Sequence, residues 1–223
     1  MTINNLTDLV TNVSGGSSEV VNMYLLFLII ALIPTILILT TSFTRIVVVL
    51  SFVRNSLGTQ QTPPNQVLTG LALFLTLFIM QPIYSQMNQE AFKPLQANEI
   101  NTEQAMERAA VPMKEFMLKQ TGTKDLELFI ELSNVDPPDT PLDTPLVTLI
   151  PAFAISELRT AFTIGFLVFI PFLIIDIVVA SVLMSMGMFM LSPVMISLPF
   201  KLLLFVLVDG WYLVVESLVK GFL

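Results

Sequence analysis

The sequence predicts an all-α membrane protein in which hydrophobic helical hairpins flank one hydrophilic region. Three observations carry that prediction. Of 223 residues, 54% are hydrophobic and 12% charged, and the mean hydropathy is +0.82. One soluble domain of this size does not bury so much apolar surface, so the chain belongs in a bilayer or in an oligomer built there. Apolar segments recur at about 23–39, 67–83, 161–191 and 194–219. Between the second and third of them lies the hydrophilic region, and most of the acidic residues sit there.

Composition also removes several function classes. The chain has no cysteine and no histidine, which excludes disulfides, thiol nucleophiles, imidazole bases and nearly all zinc sites. It is read as non-enzymatic, with no cofactor and no metal. A net charge of −7 with few basic clusters argues against nucleic acid, whose binding needs arrays of Lys and Arg to displace counterions from phosphate.

Residues 1–20 form a polar N-terminal segment. No basic residue precedes the first apolar run, so the segment is read as a mature polar lead rather than a secretory signal, with Ser-Gly-Gly-Ser-Ser at 14–18 a flexible break. Residues 21–85 form a first hydrophobic helical region around a charged turn at 45–66. Its two apolar segments are each roughly 17 residues, the lower limit for crossing a ~30 Å hydrocarbon core.

Residues 86–150 form a hydrophilic helical and loop region. Glu103, Glu107, Arg108, Lys114, Glu115 and Lys119 fall on an amphipathic helix, interrupted near Pro112 and ended by Gly122. A second short helix, KDLELFIELSN, precedes the turn-forming DPPDTPLDTP. The aliphatic faces of both are expected to pack on neighbouring membrane helices.

Residues 151–223 form a second hydrophobic hairpin region. The apolar run at 161–191 is roughly 30 residues, or ~45 Å of helix, too long for one upright crossing. Pro171 is expected to bend it, and Pro193 and Pro199 to bracket the turn into the last segment. The positive-inside rule, applied to Arg45, Arg54 and Lys201, places these connections in the cytoplasm with the acidic loop and both termini outside.

Several charges stand where charge is costly: Glu157 and Arg159 in AISELRTAF, Asp176 in FLIIDIVVAS and Asp209 in FVLVDGWYL. A carboxylate at mid-membrane costs about 2.5 to 3.5 kcal/mol, while each Leu or Ile returns about 0.3 to 0.6. One reading is a proton-coupled secondary transporter using Asp176 and Asp209. The other is that these groups pair with Arg159, Lys201 or another subunit and fix how helices assemble. Two separated carboxylates with no adjacent base make a poor relay, which favours assembly.

The stretch ASVLMSMGMFMLSP places Met184, Met186, Met188 and Met190 at alternate positions, with Phe189 between the last two. Such thioethers suit Cu(I), but without Cys or His that reading is weak. On a helix, Met184 and Met188 would share one face and Met186 and Met190 another, as ordinary packing residues. Gly187 weakens a straight helix and favours a local break.

Four strings then resemble one known family. SFTRIVVVLSFVRNSLGTQQTPPNQVLTGLALFLTLFIMQP, KEFMLKQT, PAFAISELRTAFTIGFLVFIPFLIIDIVVASVLMSMGMFMLSP and LPFKLLLFVLVDGWYLV are similar, in order from about Thr41 to Val215, to the FliP family of flagellar type III export components. The flagellar branch is matched more closely than the related injectisome proteins. The resemblance implies hairpins assembled into an oligomeric cone-shaped export gate in the bacterial cytoplasmic (inner) membrane, at the flagellar basal body. It implies several copies of the chain, pentameric in the family, with FliQ-like and FliR-like subunits and further export-apparatus membrane proteins. Unfolded flagellar substrates would pass through, and much of the complex would be lifted toward the outer side of the lipid. It also implies a methionine-rich constriction, mapping onto Gly187, Met188, Phe189 and Met190 with Met184 and Met186 beside them. Phe189 departs from the uninterrupted methionine run of some members.

Overall fold

The computed structural model describes residues 18–59, 61–133, 138 and 140–222. The polar segment at 1–17, and with it nearly all of the Ser/Gly run, lies outside the described residues, as does part of the turn at 136–145. Every regular element among the described residues is helical.

Helix α1, Ser18–Thr40, is apolar on all sides and its described side chains are almost entirely exposed. That is the pattern of a helix whose surroundings are lipid or other chains. After a two-residue break, α2 runs Phe43–Ser56. Threonine hydroxyls close the orphaned carbonyls at this junction, Thr40 donating to Ile36 O at 2.9 Å, Thr41 to Leu37 O at 2.7 Å and Thr44 to Ile38 O at 2.8 Å. Free carbonyls at an apolar depth have no water to satisfy them, so such back-bonds matter there. Helix α3, Asn65–Met87, continues through a π-turn at Asn88–Phe92 to Gln96.

In the hydrophilic region, α4 spans Thr102–Gln120 and starts in a capping box, Asn101 accepting from Gln104 N while the Gln104 side chain accepts from Asn101 N. Pro112 does not interrupt it, contrary to the sequence expectation. A proline removes one backbone bond, and here the ring is buried where packing holds the helix together. Helix α5, Thr123–Ser133, agrees with the second predicted short helix.

Helix α6, Leu146–Ser185, is one continuous 40-residue element containing Pro151 and Pro171. It begins well before the apolar run predicted at 161–191, ends before it, and is not interrupted at Pro171. Neighbouring groups can satisfy what a proline leaves free in an apolar setting. At 1.5 Å per residue α6 is about 60 Å long, roughly twice a hydrocarbon core. The last segment divides into α7, Pro193–Leu207, and α8, Gly210–Lys220, which meet at 61°. Pro193 opens α7, where its missing N–H costs nothing, and Pro199 lies within it. The two prolines therefore do not bracket the turn, which lies entirely at 186–192. By length and composition α1, α3 with its extension, and α6 suffice to cross a membrane, and the bent pair α7–α8 makes a fourth.

The core sits at one end of these long helices. Ile46, Val49, Leu50 and Val53 repeat at helical spacing along α2 and are fully buried against Met80 of α3, Met117 of α4, and Leu149 and Phe153 of α6. Helices α2 and α6 approach so closely that a Cβ on Gly165 would lie 2.5 Å from the Phe52 ring. Phe52 in turn meets Phe162 edge-on at 5.2 Å between centroids.

Candidate functional site

The alternating methionines lie at the far tip of the α6–α7 hairpin. Helix α6 ends in a Schellman closure: Gly187 N donates to Met184 O at 3.0 Å and Met188 N to Leu183 O at 3.0 Å. Gly187 is left-handed, with φ +73°, and an added Cβ would meet nothing within 4 Å. The conformation rather than space therefore calls for glycine. The predicted break at Gly187 is thus present, and it carries Met188, Phe189 and Met190 off the helix.

Met184, Met186 and Met188 are exposed as well, while Phe189 and Met190 are 78% and 98% exposed. They fill no gap within the chain, contrary to the packing expectation. Contiguous exposed apolar surface of this kind generally marks a place of membrane or protein contact. Below it, an apolar groove of about 500 Å³ opens between α6 and α7, lined by Ile174, Val178, Val182, Ile196 and Phe200 among others.

An ion pair ties the two arms of the hairpin. Lys201 Nζ donates to Asp176 Oδ2 at 2.6 Å and Ser197 Oγ to Asp176 Oδ1 at 2.5 Å, with the Lys201 side chain only 4% exposed. This is the pairing expected of charges in an apolar hairpin. Asp209 is not brought to it. It sits at the α7–α8 break, exposed, and no described group bonds its side chain. The two aspartates of the transporter reading therefore share no bond, and one of them is already neutralised by a lysine.

The most connected polar group among the described residues is Arg45, which the sequence places in the charged turn at 45–66. It is buried on α2. Its guanidinium grips Glu157 of α6 in a fork, Nε to Oε2 at 2.9 Å and Nη2 to Oε1. It also donates to Gln120 Oε1 at 3.0 Å and Gly221 O at 3.3 Å, and lies 3.9 Å from the centroid of the Phe222 ring. A planar fork with donors left over suits such a junction as a lysine would not. Glu157 therefore pairs with Arg45, not with Arg159.

Arg159 instead meets Asp125 of α5 at 2.5 Å, and Ser156 Oγ donates to the same carboxylate at 2.6 Å while accepting from Gly122 N at 2.8 Å. Arg45 and Lys201, two of the three cations of the positive-inside count, are thus both held in internal ion pairs. Arg45 had a readable signal, because RIVVVL places a cation at the head of a β-branched run. The criterion applied to Asp176 applied equally there.

A family model described as the FliP family matches residues 26–218. The chain belongs to that family. Relatives named "Flagellar biosynthetic protein FliP" include one from Bacillus subtilis (strain 168), 63% identical over 205 residues, covering 92% of this chain and 93% of that protein. One from Pectobacterium carotovorum subsp. carotovorum is 53% identical over 211 residues, covering 94% and 82%. A third, from Caulobacter vibrioides, is 54% identical over 209 residues, covering 94% and 79%. The FliP match contains the whole tip and, among the described residues, every ion pair except Glu216–Lys220, whereas Gly221 and Phe222, both touched by Arg45, lie beyond its end.

Proposed function

We propose that the chain is a non-enzymatic subunit of the flagellar type III export gate in the bacterial cytoplasmic (inner) membrane. Several copies, with FliQ-like and FliR-like subunits and other export-apparatus proteins of the basal body, enclose a passage for unfolded flagellar proteins. Met184, Met186, Met188, Phe189 and Met190, displayed around the Gly187 break, seal it. The observation that carries this reading is the tip itself: a non-helical, exposed apolar turn at the end of a long ion-paired hairpin. Unbranched thioethers adapt to irregular neighbours. A ring of them can close on itself or around a passing chain of any sequence. Family membership and the flagellar names of the relatives support the cellular setting.

The test is Met188→Ala, Phe189→Ala and Met190→Ala together. Assembled gates carrying the triple substitution are expected to leak ions or small dyes across the membrane while protein export continues at least in part. The comparison is the same substitutions in cells lacking the partner subunits. An intact barrier with normal assembly would place the seal elsewhere.

A further inference from the structure

In the hydrophobic regions, 23–85 and 146–222, the charged side chains are Arg45, Arg54, Glu157, Arg159, Asp176, Lys201, Asp209, Glu216 and Lys220. All but two meet an opposite charge inside the chain: Arg45 with Glu157, Arg159 with Asp125, Asp176 with Lys201 and Glu216 with Lys220. Arg54 and Asp209 remain, one of each sign, and neither has an ionic partner among the described residues.

Both are held in place without being neutralised. Arg54, half-buried in the last turn of α2, donates through Nη1 to Pro63 O at 3.3 Å and to Asn65 Oδ1, and its Nε is buried with no acceptor. With Gln61, Pro64 and Asn65 it lines a recess of about 380 Å³. Neutral oxygens orient this guanidinium and leave its charge unopposed. Asp209 has φ +51°, left-handed for a residue with a Cβ, at a bend packed on its inner side, where Phe205 meets Trp211 edge-on at 5.4 Å. A Cβ on Gly210 would lie 2.3 Å from the Phe205 ring. Val206, Leu207, Val208 and Tyr212 around the carboxylate are exposed, so it stands in an apolar patch.

The two charges also lie at one height along α6. Arg45 meets Glu157 and Phe52 lies against Gly165, so α2 runs parallel to α6 and Arg54 comes level with 166–167. Asp176 meets Lys201 and Phe172 meets Phe205, so α7 runs antiparallel and its end at Asp209 comes level with 168. At 1.5 Å per residue the two levels differ by about 3 Å or less. Helices α4 and α5, which carry most bases of the hydrophilic region, meet α6 through Phe153 and Arg159, about 14 Å or more from that level.

We propose that Arg54 of one copy of the chain pairs with Asp209 of the next. This rests on the reading of the chain as a multi-copy gate subunit. Lending any other base of the hydrophobic regions across such a contact would strand the acid it now neutralises, whereas Arg54 strands none. A foreign polypeptide would have to supply one partner for each charge, and this one contact neutralises both. Because the two surfaces differ, the contact is head-to-tail, the kind that closes a ring when repeated by rotation. A rotation leaves height along its axis unchanged, so in a ring whose axis follows α6 only groups at equal height can meet. Arg54 and Asp209 satisfy that condition.

The experiment uses the full-length chain in its native host with all partners present. The chain has no cysteine, so Arg54→Cys and Asp209→Cys, carried on two differently tagged copies beside the parent chain, are joined with a short bismaleimide in membranes. The expected adduct contains one copy of each variant, and neither variant alone gives a two-copy adduct. Separately, Arg54→Asp and Asp209→Arg should each lower the yield of assembled multimer about tenfold or more, and the double exchange should restore it. Overturning results are an adduct within one copy when both cysteines are on it, an adduct with a different protein in place of the two-copy one, incorporation of both variants with no adduct, or failure of the double exchange to restore the multimer. Any of these in cells that still export and swim removes the pairing and leaves the gate reading standing. A two-copy adduct in cells whose export does not need the chain would do the reverse.

Discussion

The junction around Arg45 and the tip around Gly187 lie in one molecule, and α6 runs from one to the other. At the junction, residues from α2, α3, α4, α6 and the segment after α8 bury one another completely, and one guanidinium bonds three separate partners. At the tip, apolar side chains of the same kind are exposed, Phe189 and Met190 most of all. Hydrophobicity does not distinguish them. What differs is whether the complementary surface is encoded in the same chain: one region is a folded core, and the other, on the function proposed above, is half of an interface.

If that contrast is right, removing an interaction should cost stability in proportion to how much of it the chain supplies itself. The largest effect is expected from Arg45→Met or Glu157→Leu singly, each leaving a buried, unpaired charge at a cost of about 3 to 5 kcal/mol. The double variant, which removes both charges, should recover much of that loss. Steady-state amount and protease resistance of the full-length chain in membranes report this, and single variants as abundant as the parent would break the comparison.

Next comes Lys201→Met, which leaves Asp176 with Ser197 as a hydrogen-bond donor. The expected cost is about 1 to 3 kcal/mol. It should appear as easier proteolysis between α6 and α7, with the Arg45 junction still protected. Equal loss of protection in both regions would show that hairpin and core unfold as one unit. The smallest effect on the isolated chain is expected from alanine at Met188, Phe189 and Met190. Exposed substitutions away from packed features typically stay within about 0.5 kcal/mol each, so abundance and protease pattern should match the parent. A marked loss of the isolated chain would mean that the tip packs within its own subunit after all.

The parts legible in the sequence are those set by local chemistry. An all-helical apolar chain, the short helix at 123–133, the break at Gly187 and the need of Asp176 for a cation all follow from composition, turn preferences and the cost of an unpaired charge. The parts that were not legible depend on neighbours. Pro112 carries a local signal to interrupt, and its buried surroundings override it. Arg45 and Glu157 are 112 positions apart, and no spacing rule connects residues at that distance. Arg159 is one of the cations the sequence offers to these carboxylates, but it lies two residues from Glu157, and on a helix such neighbours point apart. Each found its charge on a different element.

The same separation has a consequence for how the protein is made. Arg45 lies in the first quarter of the chain, while its partners Gln120, Glu157 and Gly221 come 75, 112 and 176 residues later. Ribosomes add about 5 to 20 residues per second, so on the order of ten seconds pass before the carboxylate that neutralises Arg45 has been synthesised. During that interval α1 and α2 leave the ribosome carrying a bare cation beside an apolar stretch. The nascent chain thus needs a temporary host for Arg45, such as water, a lipid phosphate or an insertion factor, and its membrane placement is completed only after α6 has been made.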